Sequence, residues 1–290
     1  MPFTYEMIKS KDGIESIRVT GHTGQPSRLY IPAEIDGLPV TEVGPHAFKN
    51  RMELVEAVIP EGVSCIKSYA FHNCGNLRTL SLYDGVELYY DGVIKHCEKL
   101  DNIIFYVKRD DFTVLRQLTQ DNDTRMTITI VGADYKARII LPSYVYDFDA
   151  DDMARAIHHR IEGAGYAYRE CLTKKGINYS DYDHIFKRAI ADDPRLAAEV
   201  CADRLAFPYM LSEEAGIAYE AFVRDNDHLV AEHLAVIGDE DGLKALGVRH
   251  LLSNEAIRSA LDNRIDDKIR AILMDSMEET KNCGFSLEDF

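Results

Sequence analysis

The sequence lacks the features of a membrane-spanning or exported protein. Its 290 residues contain no run of 18 apolar residues, so no segment is a candidate transmembrane helix. The first residues, Met1-Pro2-Phe3-Thr4, do not place a basic segment before an apolar core. We therefore expect no signal peptide, no membrane insertion and a cytoplasmic location. A cell-surface location is the alternative if residues that precede Met1 have been trimmed.

Positive charge is also scarce. The chain has 33 lysines and arginines against 49 acidic residues, a net charge of −16. The excess is −5 in residues 1–150 and −11 in residues 151–290. Such a chain repels a nucleic-acid backbone, whose affinity for proteins comes largely from lysine and arginine. We expect no nucleic-acid partner, and a basic protein or peptide partner fits this charge better than an acidic one. The oligomeric state stays open.

The side chains that bind metals form no recognised pattern. None of the six cysteines belongs to a C-x-x-C pair, and no histidine lies at zinc-finger spacing from them. His158 and Glu162 would share one face of a helix, but H-E-x-x-H order and an evident third ligand are missing. Cys171 has no recognisable base beside it. We therefore expect no catalytic residue, no metal and no cofactor.

A 23-residue repeat is the strongest pattern that the sequence does contain. Phe48, Phe71 and Ile94 are 23 residues apart, and so are Leu54, Leu77 and Leu100. A fixed period of this length is typical of a solenoid, in which each repeat forms one coil that stacks on the next. The repeat also places Cys74 and Cys97 on adjacent coils, where we expect buried, reduced thiols.

Each repeat contains a short alternating strand. Period-two alternation directs one set of side chains inward and the other outward. We expect Ala57, Ile59, Leu80, Leu82, Ile103 and Phe105 to point into the core, and Phe48, Phe71 and Ile94 to stack as a column. We also expect Gly62 and Gly85 to have positive φ angles. The outward side chains form the candidate binding residues, in two rows: Arg28, Glu56, Thr79, Asn102 and Thr127, and beside them Tyr30, Val58, Ser81, Ile104 and Thr129.

The repeat resembles a known family. Its consensus, L-x-x-[VL]-x-[IL]-P-x-x-[VI]-x-x-[IV]-x-x-x-A-F-x-x-C-x-x-L, is similar to the BspA-like bacterial leucine-rich repeat, also called the Treponema pallidum type. The resemblance covers about residues 3–142, with Tyr83 in place of the proline and Val93-Ile94 in place of Ala-Phe. It implies a leucine-rich-repeat β-solenoid. A helix over Asp111–Gln120 modifies the last repeat, and Arg138–Pro142 provides a closing strand.

The remaining sequence follows a helical period. We expect a helix that begins at Asp149 and ends at Gly163, with Met153, Ala156, Ile157 and Ile161 on its apolar face. Leu211-Ser-Glu-Glu-Ala and Leu252-Ser-Asn-Glu-Ala are 41 residues apart, which suggests helix-turn-helix repeats in the ankyrin or HEAT manner. Tyr166, Tyr168, Tyr179 and Tyr182 are candidates for exposed contact residues or for contacts between domains. Further helices are expected near 182–191, 194–206, 212–224, 227–237, 240–247 and 253–279, with a division of the last segment into two helices near Asn263 as the alternative.

These observations predict an α+β protein with segregated parts. Residues 1–145 form a leucine-rich-repeat β-solenoid with caps at both ends, and residues 146–290 form an all-α, ankyrin- or HEAT-like domain. The leading functional hypothesis is a non-catalytic repeat protein that binds a protein or peptide on the outward face of the solenoid sheet. One alternative makes the helical domain an enzyme or a metal-binding module around His158, His159 and Cys171. The other is an adhesive or structural surface protein.

Overall fold

A computed structural model describes residues 2–10, 12–151 and 156–282, and describes only the backbone of 147–151, 156–160 and 278–282. The chain divides into two compact units. The first comprises Met1–Lys136 and Leu141–Asn178, and the second comprises Ala137–Ile140 and Tyr179–Phe290. This division differs from the boundary near residue 145 that the sequence suggested. The chain is a β-solenoid followed by a region of helices, as predicted.

The first unit contains the solenoid. One of its sheets has the strand order β1-β2-β5-β7-β9, with β4 paired to β5 and β1 antiparallel to β2. In the other sheet, parallel strands lie in the order β11-β10-β8-β6-β3. The strands of the repeats and of their ends are β1 (Phe3–Lys9), β2 (Glu15–His22), β3 (Arg28–Tyr30), β4 (Glu34–Ile35), β5 (Leu38–Val43), β6 (Glu56–Val58), β7 (Cys65–Ile66), β8 (Thr79–Tyr83), β9 (Leu88–Tyr89), β10 (Asn102–Tyr106) and β11 (Met126–Val131). The next strand, β12 (Lys136–Leu141), contains Ala137–Ile140, which belong to the second unit.

The 23-residue repeat builds the core between these sheets. The six side chains predicted to point inward are at most 1% exposed. The predicted column is confirmed as well, since Phe48, Phe71 and Ile94 are buried and the first two rings stack with centroids 5.2 Å apart. A fully buried side chain of this size contributes about 1.5–3 kcal/mol. Each coil therefore adds the same set of buried contacts to the coil before it.

Glycine has a different role in the repeat from the one expected. The prediction of positive φ angles is wrong for Gly62 and Gly85. A Cβ atom at Gly62 would lie 3.3 Å from the carbonyl oxygen of Val40, and one at Gly85 would lie 3.4 Å from that of Glu61. Close approach of the neighbouring backbone therefore favours glycine at position 62, whereas the contact at Gly85 is an ordinary van der Waals distance. The left-handed positions lie elsewhere in the coil, at His46, Tyr69 and Gly92 and at Asn50, Asn73 and His96.

The predicted helix of the last repeat is confirmed as α1 (Thr113–Gln120). The backbone N–H of Thr113, the first helical residue, donates to Asp111 Oδ1 at 2.8 Å, so the Asp111 carboxylate satisfies one of the free N–H groups at the helix start. The helix predicted from Asp149 is wrong. Residues there form an antiparallel hairpin of β13 (Val145–Asp151) and β14 (Ala156–Glu162), which ends before Gly163 with a φ of +88°. Met153 lies outside the described residues.

The first unit ends with α2 (Gly165–Glu170) and a small hairpin of β15 (Leu172–Thr173) and β16 (Gly176–Ile177). The helices of the second unit are α3 (Tyr179–His184), α4 (Phe186–Asp192), α5 (Pro194–Ala206), α6 (Glu213–Asp225), α7 (Asp227–Ile237), α8 (Glu240–Val248), α9 (Asn254–Leu261) and α10 (Asp267–Asn282). The positions of α5 to α8 agree with the expected segments. The segment expected near 182–191 is divided into α3 and α4, and the segment expected near 253–279 is divided into α9 and α10.

The 41-residue sequence repeat corresponds to a repeated helix start. Ser212 precedes α6 and accepts from the N–H of Ala215 at 3.2 Å, and Ser253 precedes α9 and accepts from the N–H of Ala256 at 3.1 Å. A serine in this position satisfies one of the free N–H groups at the beginning of a helix. The shared motif therefore encodes the same local structure twice.

Candidate functional site

The two predicted outward rows are adjacent in the parallel sheet. In the first row Arg28 pairs with Glu56, Glu56 with Thr79, Thr79 with Asn102, and Asn102 with Thr127. In the second row the order is Tyr30, Val58, Ser81, Ile104 and Thr129. Strand register thus brings all ten candidate residues onto one surface. We call this surface the sheet face.

Exposure varies along the sheet face. Tyr30 is 56% exposed and Arg28 is also exposed, whereas most of the other residues are half-buried. Ser81 is only 3% exposed, so its expected exposure is wrong. Neighbouring strands are about 4.8 Å apart, and the larger side chains of Val58 and Ile104 flank this small serine. Ser81 therefore contributes little contact area.

Polar contacts within the first row, and between Tyr30 of the second row and Glu56 of the first, are long and weak. Arg28 Nε lies 3.4 Å from Glu56 Oε2, and the Tyr30 hydroxyl donates to Glu56 Oε1 at 3.4 Å. Asn102 Nδ2 donates to Thr79 Oγ1 at 3.4 Å. Exposed ion pairs of this kind contribute about 0–1 kcal/mol. These side chains can therefore exchange their present contacts for contacts with a partner at small cost.

A third row extends the sheet face, and the sequence prediction missed it. Tyr83, Tyr106 and Val131 are paired across β8, β10 and β11. The two tyrosine rings are stacked, with centroids 4.7 Å apart and an interplanar angle of 21°. Neither hydroxyl makes a hydrogen bond to another described residue. The sequence pattern could have identified this row, because Tyr83 and Tyr106 lie two residues after Ser81 and Ile104 and therefore point to the same side of the sheet.

The stacked pair has the properties of an interaction anchor. Both rings are half-buried, and burial, with smaller effects from Tyr106 and Glu61, raises the pKa of Tyr83. Both hydroxyls can donate hydrogen bonds to a partner. Tyrosine is enriched at binding hot spots because it combines a large apolar ring with a polar tip.

The alternative catalytic and metal-binding sites receive no support from geometry. His158 and His159 lie in strand β14, so the helical spacing that placed His158 beside Glu162 does not exist. The Cys171 side chain is 4% exposed, and its Sγ lies 3.5 Å from the carbonyl oxygen of Ala167. Within residues 2–10, 12–151 and 156–282, no three His, Cys, Asp or Glu side chains are grouped to hold a metal ion.

The repeat cysteines are buried thiols, as expected. Cys74 Sγ donates to the carbonyl oxygen of Phe48 at 3.1 Å, and Cys97 Sγ donates to that of Phe71 at 3.1 Å. The hydrogen bond with Cys97, together with burial, raises the pKa of Cys74. A thiol that stays protonated is a poor nucleophile, so Cys74 has a packing role.

Exposed contact residues were one of two interpretations of the tyrosines after Gly163, and this interpretation fits only Tyr166. Only Tyr166 is well exposed, at 41%, whereas Tyr168, Tyr179 and Tyr182 are at most 5% exposed. The Tyr182 hydroxyl donates to the carbonyl oxygen of Ile140 at 2.8 Å and accepts from its N–H at 3.0 Å. The phenol thus extends the hydrogen bonding of the strand, which explains a buried tyrosine at that position.

The parallel sheet, the repeated phenylalanine column and the 23-residue period define a leucine-rich-repeat protein. Residues 38–117 match the BspA type leucine rich repeat region in six copies. The predicted resemblance is thereby confirmed, and residues 38–117 form a BspA-type leucine-rich-repeat region. A comparison with curated proteins found no match.

Several solved structures share sequence and fold elements with the chain. The T. pallidum leucine rich repeat protein TpLRR is 24% identical over 44% of this chain and 61% of its own, with a TM-score of 0.32. A leucine-rich repeat protein from Bacteroides ovatus is 21% identical over 46% of this chain and 36% of its own, with a TM-score of 0.33. The chain therefore spans less than two thirds of either relative. In the described part of the chain, no helix has the length and apolar character needed to cross a membrane.

Proposed function

We propose that the protein is a non-catalytic binding protein that recognises a protein or peptide through its sheet face. The observation that carries this proposal is the register of five parallel strands, which aligns three rows of side chains on one surface. Leucine-rich-repeat proteins generally mediate protein binding or adhesion. Stacked repeats create extended surfaces suited to such contacts.

The chemistry of the sheet face supports an extended partner with apolar and polar side chains. Tyr83 and Tyr106 offer ring edges and two free hydroxyls, and Val131 continues the same row. Val58 and Ile104 add a half-buried apolar strip beside them. The net charge of −16 supports a basic partner, since electrostatic complementarity favours association and partner choice.

Selection of random peptides displayed on phage against the immobilised full chain tests the proposal. Selected peptides should bind the Tyr83→Ala and Tyr106→Ala variants at least about tenfold more weakly, the loss typical of an aromatic hot spot. Tyr90→Ala is the matched control, because Tyr90 is 41% exposed and lies outside the three rows. Peptides that bind all three variants as tightly as the natural chain would contradict the proposal.

The cytoplasmic location stays a prediction of the sequence. Fractionation of cells that produce the natural protein, followed by antibody detection, would test it. Recovery in the soluble cytoplasmic fraction would support an intracellular partner. Recovery at the cell surface would instead favour an adhesive role for the sheet face.

A further inference from the structure

A cavity of about 270 Å³ lies within the helical unit. Its lining comes from α3, α4, the turn before α6 and the first turns of α6, between Ser180 and Ala218. The whole cavity therefore belongs to the second unit and is separate from the sheet face. Its volume is close to the lower end of the range for small-molecule sites, about 300–1,000 Å³.

A buried ion pair lies at one side of the cavity, where Asp183 belongs to the lining. The Asp183 carboxylate, whose side chain is 5% exposed, accepts from Arg204 Nε at 2.8 Å and from Nη2 at 3.0 Å. The Tyr219 hydroxyl also donates to Asp183, at 2.7 Å. Arg204 is fully buried and lies over the Tyr179 ring. Since Arg204 neutralises Asp183, this pair positions the wall and leaves no free charge there.

Apolar side chains form another side. The Phe186 ring packs edge-on against Tyr219, with centroids 4.7 Å apart, and against Phe222 at 5.5 Å. Met210 is 67% exposed and has a φ of +51°, a left-handed conformation that is uncommon for this residue type. Ala215 and Ala218 complete the apolar lining. This side suits a short apolar group rather than a second charge.

Opposite charges without partners accompany this apolar lining. Lys187 and Glu214 both line the cavity. Neither makes an ion pair or a hydrogen bond with any residue in the described part of the chain. Some exposed side chains of the same unit are paired, for example Arg224 with Glu220 at 3.2 Å, but that pair does not line the cavity. One free cation and one free carboxylate at a single cavity complement a ligand that carries both charges.

Ser180 and His184 line the same cavity, but their geometry does not form a nucleophile and base. His184 Nδ1 lies 2.7 Å from the carbonyl oxygen of Ser180, whereas the Ser180 hydroxyl oxygen is 3.4 Å away. The closer contact assigns the Nδ1 proton to a backbone hydrogen bond, so this nitrogen cannot act as a base toward the hydroxyl. The arrangement therefore favours binding without chemical conversion.

We propose that the cavity binds a small zwitterion with an apolar side chain, of the chemical class of the neutral α-amino acids. The ligand's ammonium group pairs with Glu214, and its carboxylate pairs with Lys187. Its side chain lies against Phe186 and Met210. Binding here is independent of the sheet face, and each site can fail its own test without affecting the other.

Isothermal titration calorimetry of the full chain with L-leucine tests this proposal. We expect saturable binding of leucine and at least about tenfold weaker binding of both N-acetyl-leucine and leucine amide, because each lacks one of the two charges. Lys187→Met and Glu214→Gln should each weaken leucine binding at least about tenfold as well.

Neighbouring residues of the same type provide controls. Arg188→Met and Glu213→Gln alter exposed charges that do not line the cavity, so affinity for leucine should stay within about twofold. Circular dichroism establishes that every variant is folded. The proposal is refuted if leucine, isoleucine, methionine and phenylalanine all fail to bind at about 10 mM, or if the control variants lose as much affinity as Lys187→Met and Glu214→Gln.

Discussion

Replacing Arg169 by methionine should strongly destabilise the first unit. The Arg169 side chain is 5% exposed and lies 4.9 Å from the Tyr144 ring. In the described part of the chain, all the hydrogen bonds of its guanidinium go to backbone carbonyl groups. Nε donates to the carbonyl oxygens of Thr119 and Asn122, both at 3.1 Å. Nη1 donates to those of Pro142 at 2.5 Å and Gly165 at 3.1 Å, and Nη2 donates to that of Thr124 at 2.6 Å.

The expected magnitude follows from two opposing contributions. Burial lowers the pKa of Arg169 to about 10, even though Tyr144 and Asp123 partly oppose it. At about 1.4 kcal/mol per pKa unit, the buried charge costs roughly 3 kcal/mol. Each hydrogen bond to a charged group contributes about 1.5–3 kcal/mol, so five of them exceed this cost. The sum of these bonds minus that cost is an upper bound, because Nε shares its one proton between two acceptors. Removing one partner of a buried charge network costs about 3–5 kcal/mol, and we take that value as the expected deficit.

Differential scanning calorimetry measures the effect. For a unit of this size, about 2–4 °C of Tm corresponds to 1 kcal/mol, so Arg169→Met should lower Tm by roughly 10 °C. Hydrogen exchange should increase most in the residues that follow α1. Because the pKa of Arg169 is lower in the folded state than in the unfolded state, the folded state loses this proton at a lower pH. Arg169 therefore makes stability depend on pH only near pH 10 and above. The deficit should therefore be equal at pH 6 and pH 8.

Arg109→Met is the matched control for this prediction. Arg109 is largely exposed and pairs with the exposed Glu87 at 3.1 Å, a contact that contributes about 0–1 kcal/mol. Its Tm should therefore change by less than about 3 °C. A change of the same size in both variants would show that the carbonyl groups around Arg169 do not depend on the guanidinium, and would refute the reasoning.

Three further perturbations test other parts of the molecule. Phe71→Ala removes a fully buried ring that stacks on Phe48, and denaturant unfolding should show a loss of about 3–5 kcal/mol; a loss below about 1 kcal/mol would contradict the role of the column. Arg138→Met leaves Asp203 and Asp239 buried without their cation, so the helical unit should lose about 3–5 kcal/mol in the same measurement, and an unchanged midpoint would refute this. Burial and neighbouring lysines and imidazoles lower the pKa of His72. The folded state therefore binds fewer protons than the unfolded state, so stability should fall as the pH drops through the ordinary histidine range near 6.5. In a Tm series from pH 8 to pH 5, His72→Gln should reduce that fall.

Much of the solenoid could be predicted from the sequence, because its structure depends on contacts that repeat at a fixed interval. The 23-residue period determines which residues occupy equivalent positions, and alternation determines which side chains face inward. Val58, Ser81 and Ile104 are therefore in register as predicted. Exposure was harder to predict, since burial of Ser81 depends on the sizes of its neighbours on adjacent strands.

The region after the solenoid shows where local pattern is insufficient. The apolar residues between Asp149 and Gly163 fit the period of a helix, but in the structure this segment belongs to a hairpin in which β13 pairs with β14. Similarly, the sequence separates Lys187 from Glu214 by an entire helix, and nothing local shows that both line one cavity.

The sequence by itself determined the repeat, the strand register, the buried column and most helix positions, because each depends on residues at short or regular spacing. Only the tertiary structure decided that the rings of Tyr83 and Tyr106 stack, that β13 and β14 form a hairpin, and that Lys187 and Glu214 line one cavity with Asp183. These features depend on packing between segments that are distant in the chain, and that packing overrides local preference.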